Sequence, residues 1–478
     1  MLELAGYKVG DIAYNSSRTT ICHGVRNSDN KKVLIKFHNN EHPTIEDLIS
    51  IKREYMIASK NYGDNVIKVY EAINCKNSIA IVFEDFGAQS LAELLKTKKL
   101  DLKKKLFVAV NIAEALVQVH KQGVVHKDIN PFNIVWNFET DEIKLIDFGI
   151  SSELMDKGHI NPNKFEGTCL YVSPEQTGKI NRIVDFRSDL YSAGVTFYEI
   201  FTGKPPFEGD ELEIIYSHIA KMPLEPKFVC NEIPSTISDI IMKLLSKNAE
   251  DRYKTASGLK SDLQYCLENI YSSGKINNFL IAQKDVSNRF EIPQKLYGRE
   301  NDLIKIKNLL NGSIENHIRM LIVSGYPGVG KTAIIEEVSQ EFFCKGSRFI
   351  SGRFSQFERN NPYSAVKTAF GTLIKNLLLE NNKLDFWRCC LEKALGTNAG
   401  ILAEIIPELE LIIGKQPEIG KIEPIEENAR IKSVLISFIK VFTDKDNRLI
   451  LFLDDLQWSD LSSINLLKYL LSSDEIEN

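Results

Sequence analysis

The chain has 478 residues, of which 43% are hydrophobic and 26% charged, a composition typical of a folded globular protein. Its 59 basic and 64 acidic residues leave a net charge of −5, so neither nucleic acid nor an anionic membrane surface is favoured as a partner. The length exceeds what one ordinary core serves and predicts two or three domains.

Membrane and secretion signals are not apparent in the sequence. Its apolar runs all fall short of the roughly 18 residues that a transmembrane helix needs. The first residues show no basic stretch followed by an apolar one, so we do not expect a signal peptide. The eight cysteines are scattered without a C-x-x-C spacing, which favours ordinary reduced thiols. Together these features predict a cytoplasmic protein.

The predicted elements change character along the chain. The first hundred residues combine β-like runs at Lys32–Phe37 and Ile79–Phe83 with a helical pattern at Ile45–Lys60. The following stretch is mostly helical, and its helices Leu102–Gln122 and Ser188–Thr202 are each followed by a glycine, which is a common helix stop.

A polar segment, residues 271–296, separates this region from the rest and is interpreted as a linker. Beyond it, a strand-like run at 317–325 precedes a helix-like run at 332–343, and a second strand-like run occupies 448–455. This alternation predicts a parallel α/β domain.

Five residues of the first region occur in the order that phosphoryl transfer requires, with held phosphates, a charge-neutralising metal and an oriented acceptor hydroxyl. Lys36 ends the apolar run of a strand and can hold the phosphates of ATP, provided that a carboxylate such as Glu54 fixes it. Asp128 is the candidate acceptor of the substrate hydroxyl proton. Asn133 and Asp147 supply the oxygen ligands that Mg²⁺ prefers.

The segments around these residues resemble the signature blocks of eukaryotic-type Ser/Thr protein kinases. In chain order the matching segments are Val33–Lys36, His126–Asn133, Lys144–Gly149, Gly167–Glu175, Ser188–Gly194 and Asp251–Arg252. The resemblance implies an α+β bilobal kinase fold, ATP as phosphate donor and a protein Ser or Thr hydroxyl as acceptor. It also implies nucleotide contacts at Glu84 and Phe86, and a pairing of Glu175 with Arg252.

The sequence departs from this family where the nucleotide phosphates are expected. Tyr14, Ser16 and Thr19 stand in place of three glycines, which normally let backbone amides approach phosphate closely. Asn130 replaces a lysine that usually contacts the transferred phosphate, so less stabilisation of charge is expected. These departures leave an alternative open: a pseudokinase scaffold that binds nucleotide and relays signals without transferring phosphate.

A further departure concerns the activation loop. Lys127 replaces the usual arginine beside Asp128, and lysine cannot make the bidentate contact with a phosphorylated loop that arginine makes. Between Glu153 and Gly167 the sequence contains no Ser, Thr or Tyr. Both features predict a kinase that is not switched by phosphorylation in the middle of this loop.

A second nucleotide site is predicted in the α/β region. Gly325, Gly328, Gly330, Lys331 and Thr332 match the G-x-x-x-x-G-K-[ST] pattern, between a strand-like and a helix-like run as that motif requires. Backbone amides and the helix N-terminus are expected to hold phosphates. The lysine is expected to reach the β- and γ-phosphates, and the threonine to bind Mg²⁺.

Two adjacent carboxylates end the last apolar run. Asp454 is the candidate Walker B partner of Mg²⁺, and Asp455 is the candidate for polarising water. The surrounding sequence resembles that of AAA-like signal-transduction ATPases. The segments that carry this resemblance are Leu296–Glu300, Ser351–Phe354, Asn361–Tyr363 and Leu453–Asp460.

The whole arrangement resembles the N-terminal part of multidomain signalling proteins that combine a serine/threonine kinase, an AAA-like ATPase and a sensor histidine kinase. That resemblance implies downstream sensor histidine kinase segments as partners, besides the protein substrate. The predicted architecture is a kinase domain at 1–270, a linker at 271–296 and a P-loop NTPase domain at 297–478. We expect the last domain to be truncated, because the sequence ends soon after Asp455.

Overall fold

The computed structural model divides the chain into two compact units, Met1–Lys295 and Leu296–Asn478. The structure describes residues 4–16, 19–39, 43–75, 78–153, 167–178, 182–287, 298–311, 320–344, 347–356, 361–378, 384–416, 424–443 and 448–472. Within these ranges, no helix combines the length and apolarity needed to cross a membrane.

The first unit begins with an antiparallel sheet of five strands in the order β1-β2-β3-β5-β4. The strands are β1 (Tyr7–Asn15), β2 (Thr19–Arg26), β3 (Lys32–His38), β4 (Val69–Cys75) and β5 (Ser78–Glu84). Val33, Ile35 and Phe37 alternate along β3 and are buried in one core, since successive side chains of a strand point to opposite faces. Lys36 consequently faces the other side of the sheet.

Helix α1 (Ile45–Ala58) connects β3 to β4 and carries Glu54. It begins where the Thr44 side chain accepts a hydrogen bond from the Asp47 amide, while the Thr44 amide donates to the Asp47 carboxylate, a capping box that satisfies two free donors of the first turn. The predicted helix is present, and it ends two residues earlier than expected. Its inner residues Ile51 and Ile57 are buried.

The rest of the first unit is mainly helical. Its helices are α2 (Leu91–Thr97), α3 (Leu102–Lys121), α4 (Phe186–Thr202), α5 (Glu211–Ala220), α6 (Pro226–Val229), α7 (Ser235–Leu244) and α8 (Ala256–Ser273). Short strands accompany them as β6 (Gln89–Ser90), β7 (Val124–Val125), β8 (Ile134–Asn137), β9 (Glu142–Leu145) and β10 (Ser152–Glu153). Helices α3 and α4 each end shortly before a glycine, Gly123 and Gly203. These glycines have φ of 74° and 85°, a left-handed conformation that commonly ends a helix.

Helix α4 lies in the core of this lobe, and almost its whole circumference is buried. Its polar residues Ser188, Asp189, Ser192 and Thr196 are buried together with its apolar ones. After α8 the chain stays on the lobe, because Ile276, Phe279 and Ile281 pack against the same core. Asp285 also accepts hydrogen bonds from the Thr255 amide at 2.9 Å and its hydroxyl at 2.8 Å.

The second unit has two parallel strands, β11 (Arg348–Arg353) and β12 (Leu449–Asp454), within the residues described. Its helices are α9 (Glu300–Asn311), α10 (Lys331–Cys344), α11 (Ser364–Leu378), α12 (Leu384–Leu395), α13 (Ala399–Ile405), α14 (Glu410–Ile413), α15 (Pro424–Lys440) and α16 (Leu461–Leu471). Phe370 and Phe438 meet edge to face in its largest core, with ring centroids 5.3 Å apart.

One predicted strand of this unit differs in the structure. The described part of the run at 317–325, residues 320–325, adopts no strand conformation. Met320, Leu321 and Ile322 are exposed by 48%, 41% and 68%. A strand is stabilised by backbone pairing with a neighbour, and none of the described strands pairs with this segment.

Candidate functional site

Lys36 lies between two carboxylates in the first unit. Its Nζ donates to Glu54 Oε1 at 2.6 Å and to Asp147 Oδ1 at 3.2 Å. The Lys36 side chain is 15% exposed and that of Glu54 is 8% exposed, whereas Asp147 is 45% exposed. Strand β3, helix α1 and the segment after β9 therefore bring together three residues that lie up to 111 positions apart.

These contacts determine the charges of the cluster. Burial alone would lower the Lys36 pKa, but the two carboxylates raise it well above its usual value, so the side chain stays cationic. Desolvation and the nearby Asp147 charge raise the pKa of Glu54, against the opposing effect of Lys36. For Asp147, desolvation is outweighed by Lys36 and by hydrogen bonds from Lys36 and the Gly149 amide, and its pKa lies below the usual range.

Asp128 is held by three hydrogen bonds. Its Oδ1 accepts from the Thr168 amide at 3.1 Å and the Thr168 hydroxyl at 2.9 Å, and its Oδ2 accepts from Asn133 Nδ2 at 2.7 Å. The same Asn133 nitrogen donates to the Asp128 carbonyl at 2.9 Å. The Asn133 amide is thereby oriented with its oxygen as the atom left for coordination, and the Asp128 carboxylate is held on both of its oxygens.

The oxygen donors of this site fit Mg²⁺. Asn133 offers its amide oxygen, and Asp147 has one carboxylate oxygen beyond the one that accepts from Lys36 and the Gly149 amide. A hard cation of this kind prefers oxygen ligands and retains some water. Asn133 and Asp147 are therefore the residues that would hold the metal in the first domain.

The segment His126–Asn133, the catalytic loop in the kinase resemblance, is anchored by Asp189 of α4, which is fully buried. Its carboxylate accepts from the His126 amide at 2.8 Å and the Lys127 amide at 2.7 Å, and lies 2.9 Å from His120 Nε2. Phe148 is also buried and stacks on Tyr62 with ring centroids 5.3 Å apart. Asp147 and Asp128 are therefore carried by segments fixed in the core.

Asn130 has a different role from the one expected of a phosphate-binding residue. It is 1% exposed, and its Oδ1 accepts from the Phe132 amide at 2.9 Å and the Asn133 amide at 3.2 Å. Its Nδ2 lies 3.2 Å from the Asp128 carbonyl. The side chain thus closes the turn of the catalytic loop, and its polar atoms are bonded to that loop.

The turn between β1 and β2 is held by side chains where glycines were expected. Ser16 Oγ accepts from the Thr19 amide at 3.0 Å and donates to the Thr19 carbonyl at 3.1 Å. Asn39 Nδ2 donates to the Ser16 carbonyl at 2.6 Å. The Thr19 amide is therefore bonded within the hairpin.

Glu84 is the last residue of β5, and Phe86 lies in the connection that follows it between the lobes. The Glu84 carboxylate accepts from Lys144 Nζ at 2.7 Å and the Lys68 amide at 2.8 Å. The Phe86 carbonyl accepts from Asn137 Nδ2 at 2.5 Å, and Lys144 Nζ lies 4.7 Å from the Phe86 ring centroid. The Glu84 side chain thus joins the two lobes, and the nucleotide contacts predicted for this pair stay a prediction.

A buried ion pair closes the helical lobe. Arg252 donates to both oxygens of Glu175, at 2.7 Å and 2.9 Å, and the two side chains are 0% and 3% exposed. Ser188 Oγ donates to the same carboxylate at 2.7 Å. The structure therefore contains the pair implied by the kinase resemblance.

In the second unit the predicted P-loop precedes α10. Gly328 and Gly330 have φ of 79° and 88°, which glycine adopts without strain. Lys331 Nζ donates to the Gly325 carbonyl at 2.9 Å and the Tyr326 carbonyl at 3.0 Å. The described part of the predicted strand before this loop, residues 320–325, is not in strand conformation, but the loop and the helix start are present.

The metal-binding candidates of the second unit meet at the carboxyl end of β12. Thr332 Oγ1 donates to Asp454 Oδ2 at 2.9 Å, which brings together a hydroxyl and a carboxylate suited to Mg²⁺. Asp455 has a left-handed backbone with φ of 54°, and its Oδ2 accepts from Arg353 Nε at 2.8 Å. Gln457 Nε2 donates to the other Asp455 oxygen at 3.0 Å.

Comparison with known proteins identifies two domain families in the chain. Residues 16–263 match the family model for the protein kinase domain, and residues 295–478 match that for an AAA ATPase domain. The chain belongs to the protein kinase domain family. The predicted fold class, a kinase domain followed by an AAA-type ATPase domain, is thereby confirmed.

Relatives of this kinase-domain chain include signalling proteins of two kinds. Hybrid signal transduction histidine kinase G of Dictyostelium discoideum is 31% identical over 474 residues, which is 80% of this chain and 14% of that protein. Serine/threonine-protein kinase PknB of Mycobacterium tuberculosis is 34% identical over 223 residues, 45% of this chain and 35% of that protein. The chain thus spans about one seventh and one third of their lengths.

Several contacts of this kinase-domain protein were not identified from its sequence. Thr168 bonds to Asp128 across 40 positions, and Gln176 reaches the Lys127 carbonyl across 49 positions. Arg353 reaches Asp455 across 102 positions. Thr168 and Arg353 lie inside segments that carried the two resemblances, which is the one signal that could have singled them out.

Proposed function

We propose that the first domain transfers the γ-phosphoryl group of ATP to Ser or Thr hydroxyls of a protein substrate, within a signalling protein. The contact set around Lys36 and Asp128 carries this proposal. The cationic Lys36 contacts Glu54 and Asp147 at once, and Asp128 is oriented by three hydrogen bonds. A scaffold that only binds nucleotide has no use for a proton acceptor held this way.

Each residue has a distinct part in the proposed reaction. Bound Mg²⁺ supplies neutralisation of phosphate charge. Lys36 holds the phosphates, and Glu54 keeps its ammonium group in place. Asp128 orients the acceptor hydroxyl and accepts its proton. Asn133 and Asp147 hold the metal, and the low pKa of Asp147 keeps that carboxylate ionised.

For the second domain we propose ATP binding through Gly325, Gly328, Gly330, Lys331 and Thr332, with Asp454 at the metal and Asp455 near the attacking water. The Thr332–Asp454 contact supports this assignment. A protein Ser/Thr substrate, sensor histidine kinase segments as partners and a cytoplasmic location are further parts of the proposal, and the signalling relatives support the first two.

Two features of the structure favour the pseudokinase scaffold. Asn130 is bonded to the catalytic loop rather than open to phosphate, and the Thr19 amide is bonded to Ser16. Both features weaken the hold on the nucleotide phosphates. They lower the expected rate of transfer without removing the proton acceptor or the metal ligands.

A phosphotransfer assay on the full chain tests the proposed function. Radiolabelled ATP and Mg²⁺ are supplied with casein as a generic acceptor, and phosphoserine and phosphothreonine are counted. We expect Asp147→Ala to reduce incorporation by roughly 100-fold or more, because a metal ligand is lost. Asp239→Ala, which removes an exposed carboxylate of α7, is the matched control and should match wild type. Equal incorporation by wild type and Asp147→Ala would favour the scaffold.

A further inference from the structure

Gln176 directly follows the kinase-like segment Gly167–Glu175 and connects it to the catalytic loop. It lies in the short turn Pro174–Thr177 and is 7% exposed. Its Nε2 donates to the Lys127 carbonyl at 2.7 Å. Its Oε1 accepts from the Ser173 hydroxyl at 2.8 Å and lies 3.3 Å from the Ser173 amide nitrogen. Ser173 therefore orients the amide so that its nitrogen faces the catalytic loop.

The bond to the Lys127 carbonyl acts directly on the peptide that leads into Asp128. A peptide unit is planar, so holding its carbonyl oxygen also fixes the direction of the following nitrogen and Cα. The Lys127 amide on the other side is held by Asp189 at 2.7 Å. Lys127 has φ of 71°, a left-handed conformation that is strained for a lysine and needs such support.

Gly167 lies beside this connection. Its φ is 123°, a conformation that favours glycine, and a Cβ built on it would lie 3.4 Å from the Lys127 carbonyl oxygen and 3.8 Å from Gln176 Nε2. Both would be ordinary van der Waals contacts. The segment therefore approaches the catalytic loop closely at the point where Gln176 bonds to it.

We propose that Gln176, oriented by Ser173, is a positioning residue that aims Asp128 and allows the catalytic loop to assemble without phosphorylation of the activation segment. The inference rests on the proposed kinase activity. It accounts for two features of the sequence, the lysine at position 127 and the lack of Ser, Thr and Tyr between Glu153 and Gly167. The hydrogen bond from Gln176 to the Lys127 carbonyl takes the place of a contact with a phosphorylated activation loop.

The test compares full-chain variants in the casein assay, with kcat and the KM for ATP measured separately. Gln176→Leu removes the donor at similar size, and Ser173→Ala removes only the group that orients it. Gln122→Leu is the matched control, because Gln122 makes the same type of bond, from Nε2 to the Asn61 carbonyl at 2.9 Å, on an exposed helix end. Wild type is also assayed before and after treatment with a protein phosphatase.

We expect Gln176→Leu to lower kcat roughly tenfold and Ser173→Ala roughly threefold, with the KM for ATP within about twofold of wild type. Gln122→Leu and phosphatase-treated wild type should retain the wild-type kcat. A purely structural role would lower the melting temperature and weaken ATP binding, so that the KM for ATP rises as kcat falls, and would overturn the proposal.

Further outcomes also decide the question. Should Gln176→Leu fail to fold, Ser173→Ala decides alone, and a wild-type kcat for it counts against the inference. A tenfold loss after phosphatase treatment would show that phosphate is required, and the inference would be wrong. If wild type is no more active than Asp147→Ala, the proposed kinase function fails and the inference fails with it; if wild type is active and Gln176→Leu equals it, only the inference fails.

Discussion

The two nucleotide sites of this chain differ in what their lysines contact. Lys36 donates to two carboxylates that come from distant segments, whereas Lys331 donates to two backbone carbonyls of its own loop. The kinase site is therefore aligned by side chains that only the complete lobe brings together. The P-loop is a local structure, and a few consecutive residues build most of it. The first site should be sensitive to changes anywhere in its fold, and the second mainly to changes in its loop.

The largest expected effect is on the free energy of unfolding, when an ion pair is broken in each of the two domains. Glu175→Ala leaves Arg252 charged at 0% exposure, and we expect it to lower the free energy of unfolding by about 3–5 kcal/mol. Arg353→Ala breaks a pair whose arginine is 74% exposed, and should change stability by less than about 1 kcal/mol. Urea denaturation followed by hydrogen-exchange mass spectrometry reports each unit separately. Similar losses for the two variants would remove this contrast.

The catalytic loop offers the next largest effect. The sequence alone suggests that Asn130→Lys raises turnover by adding a positive charge near the transferred phosphate. The structure predicts the reverse, a fall of roughly tenfold, because the bonds to the Phe132 and Asn133 amides are lost. Steady-state phosphorylation of casein by Asn130→Lys and by Asn130→Asp, which keeps an acceptor oxygen, measures the difference. Faster turnover of the lysine variant would show that charge matters more than the turn.

A pH-dependent contribution to stability is expected from the helical lobe. Burial, with a smaller effect from Lys247, lowers the pKa of His218 from 6.5 to about 3. Between these values the unfolded chain binds a proton that the folded protein excludes, so stability falls as the pH falls below about 6.5. We expect a loss of about 1 kcal/mol between pH 7.5 and 5.5 from this group.

Urea denaturation at the two pH values measures this loss. His218→Gln does not titrate at this position and can still donate to the Leu170 carbonyl, which lies 3.0 Å from His218 Nε2. Its loss between the two pH values should be smaller than that of wild type by about the same 1 kcal/mol. An identical pH dependence in both proteins would exclude His218 as the cause.

The smallest effect is expected at the β1–β2 turn. Ser16→Gly frees the Thr19 amide from the Ser16 hydroxyl and lets the backbone come closer to phosphate. We expect the KM for ATP to fall by about twofold, with a slightly less stable hairpin. Thr20→Ala, which removes a hydroxyl bonded to Asn39 in the same hairpin, serves as the control. A higher KM in Ser16→Gly would indicate that the serine itself contributes to nucleotide binding.

Much of this arrangement could be predicted from the sequence, for identifiable reasons. Lys36 ends the apolar run of a strand, and Asp128 and Asp147 lie in loop segments of recognisable residue types. Local patterns were therefore enough to select these residues as candidates. The role of Asn130 could not be predicted, because an asparagine that closes a turn and an asparagine that contacts phosphate look identical in a sequence. Gln176 escaped notice because its partner is a backbone carbonyl 49 positions away, which no side-chain pattern records.

The second domain shows where patterns fail for a different reason. An apolar run predicts a strand, but pairing also needs a neighbour, and the described residues 320–325 have none among the described strands. Helix α4 shows the opposite case. Its buried residues include the polar Ser188, Asp189 and Thr196 as well as apolar ones, because the core of the lobe surrounds the helix on nearly every side. Burial on all sides was therefore available to one segment and not to the other.

The buried Asp189 has a consequence for how the kinase site opens with time. Its carboxylate accepts from the His126 and Lys127 amides while being fully buried, so those two protons should exchange with solvent only when the whole lobe unfolds. The Thr19 amide lies in a hairpin near the surface and should exchange through small local openings. The side of the nucleotide cleft formed by the β1–β2 hairpin is then expected to move many times faster than the side formed by the catalytic loop. We expect ligands to enter past the hairpin while the catalytic loop stays effectively static.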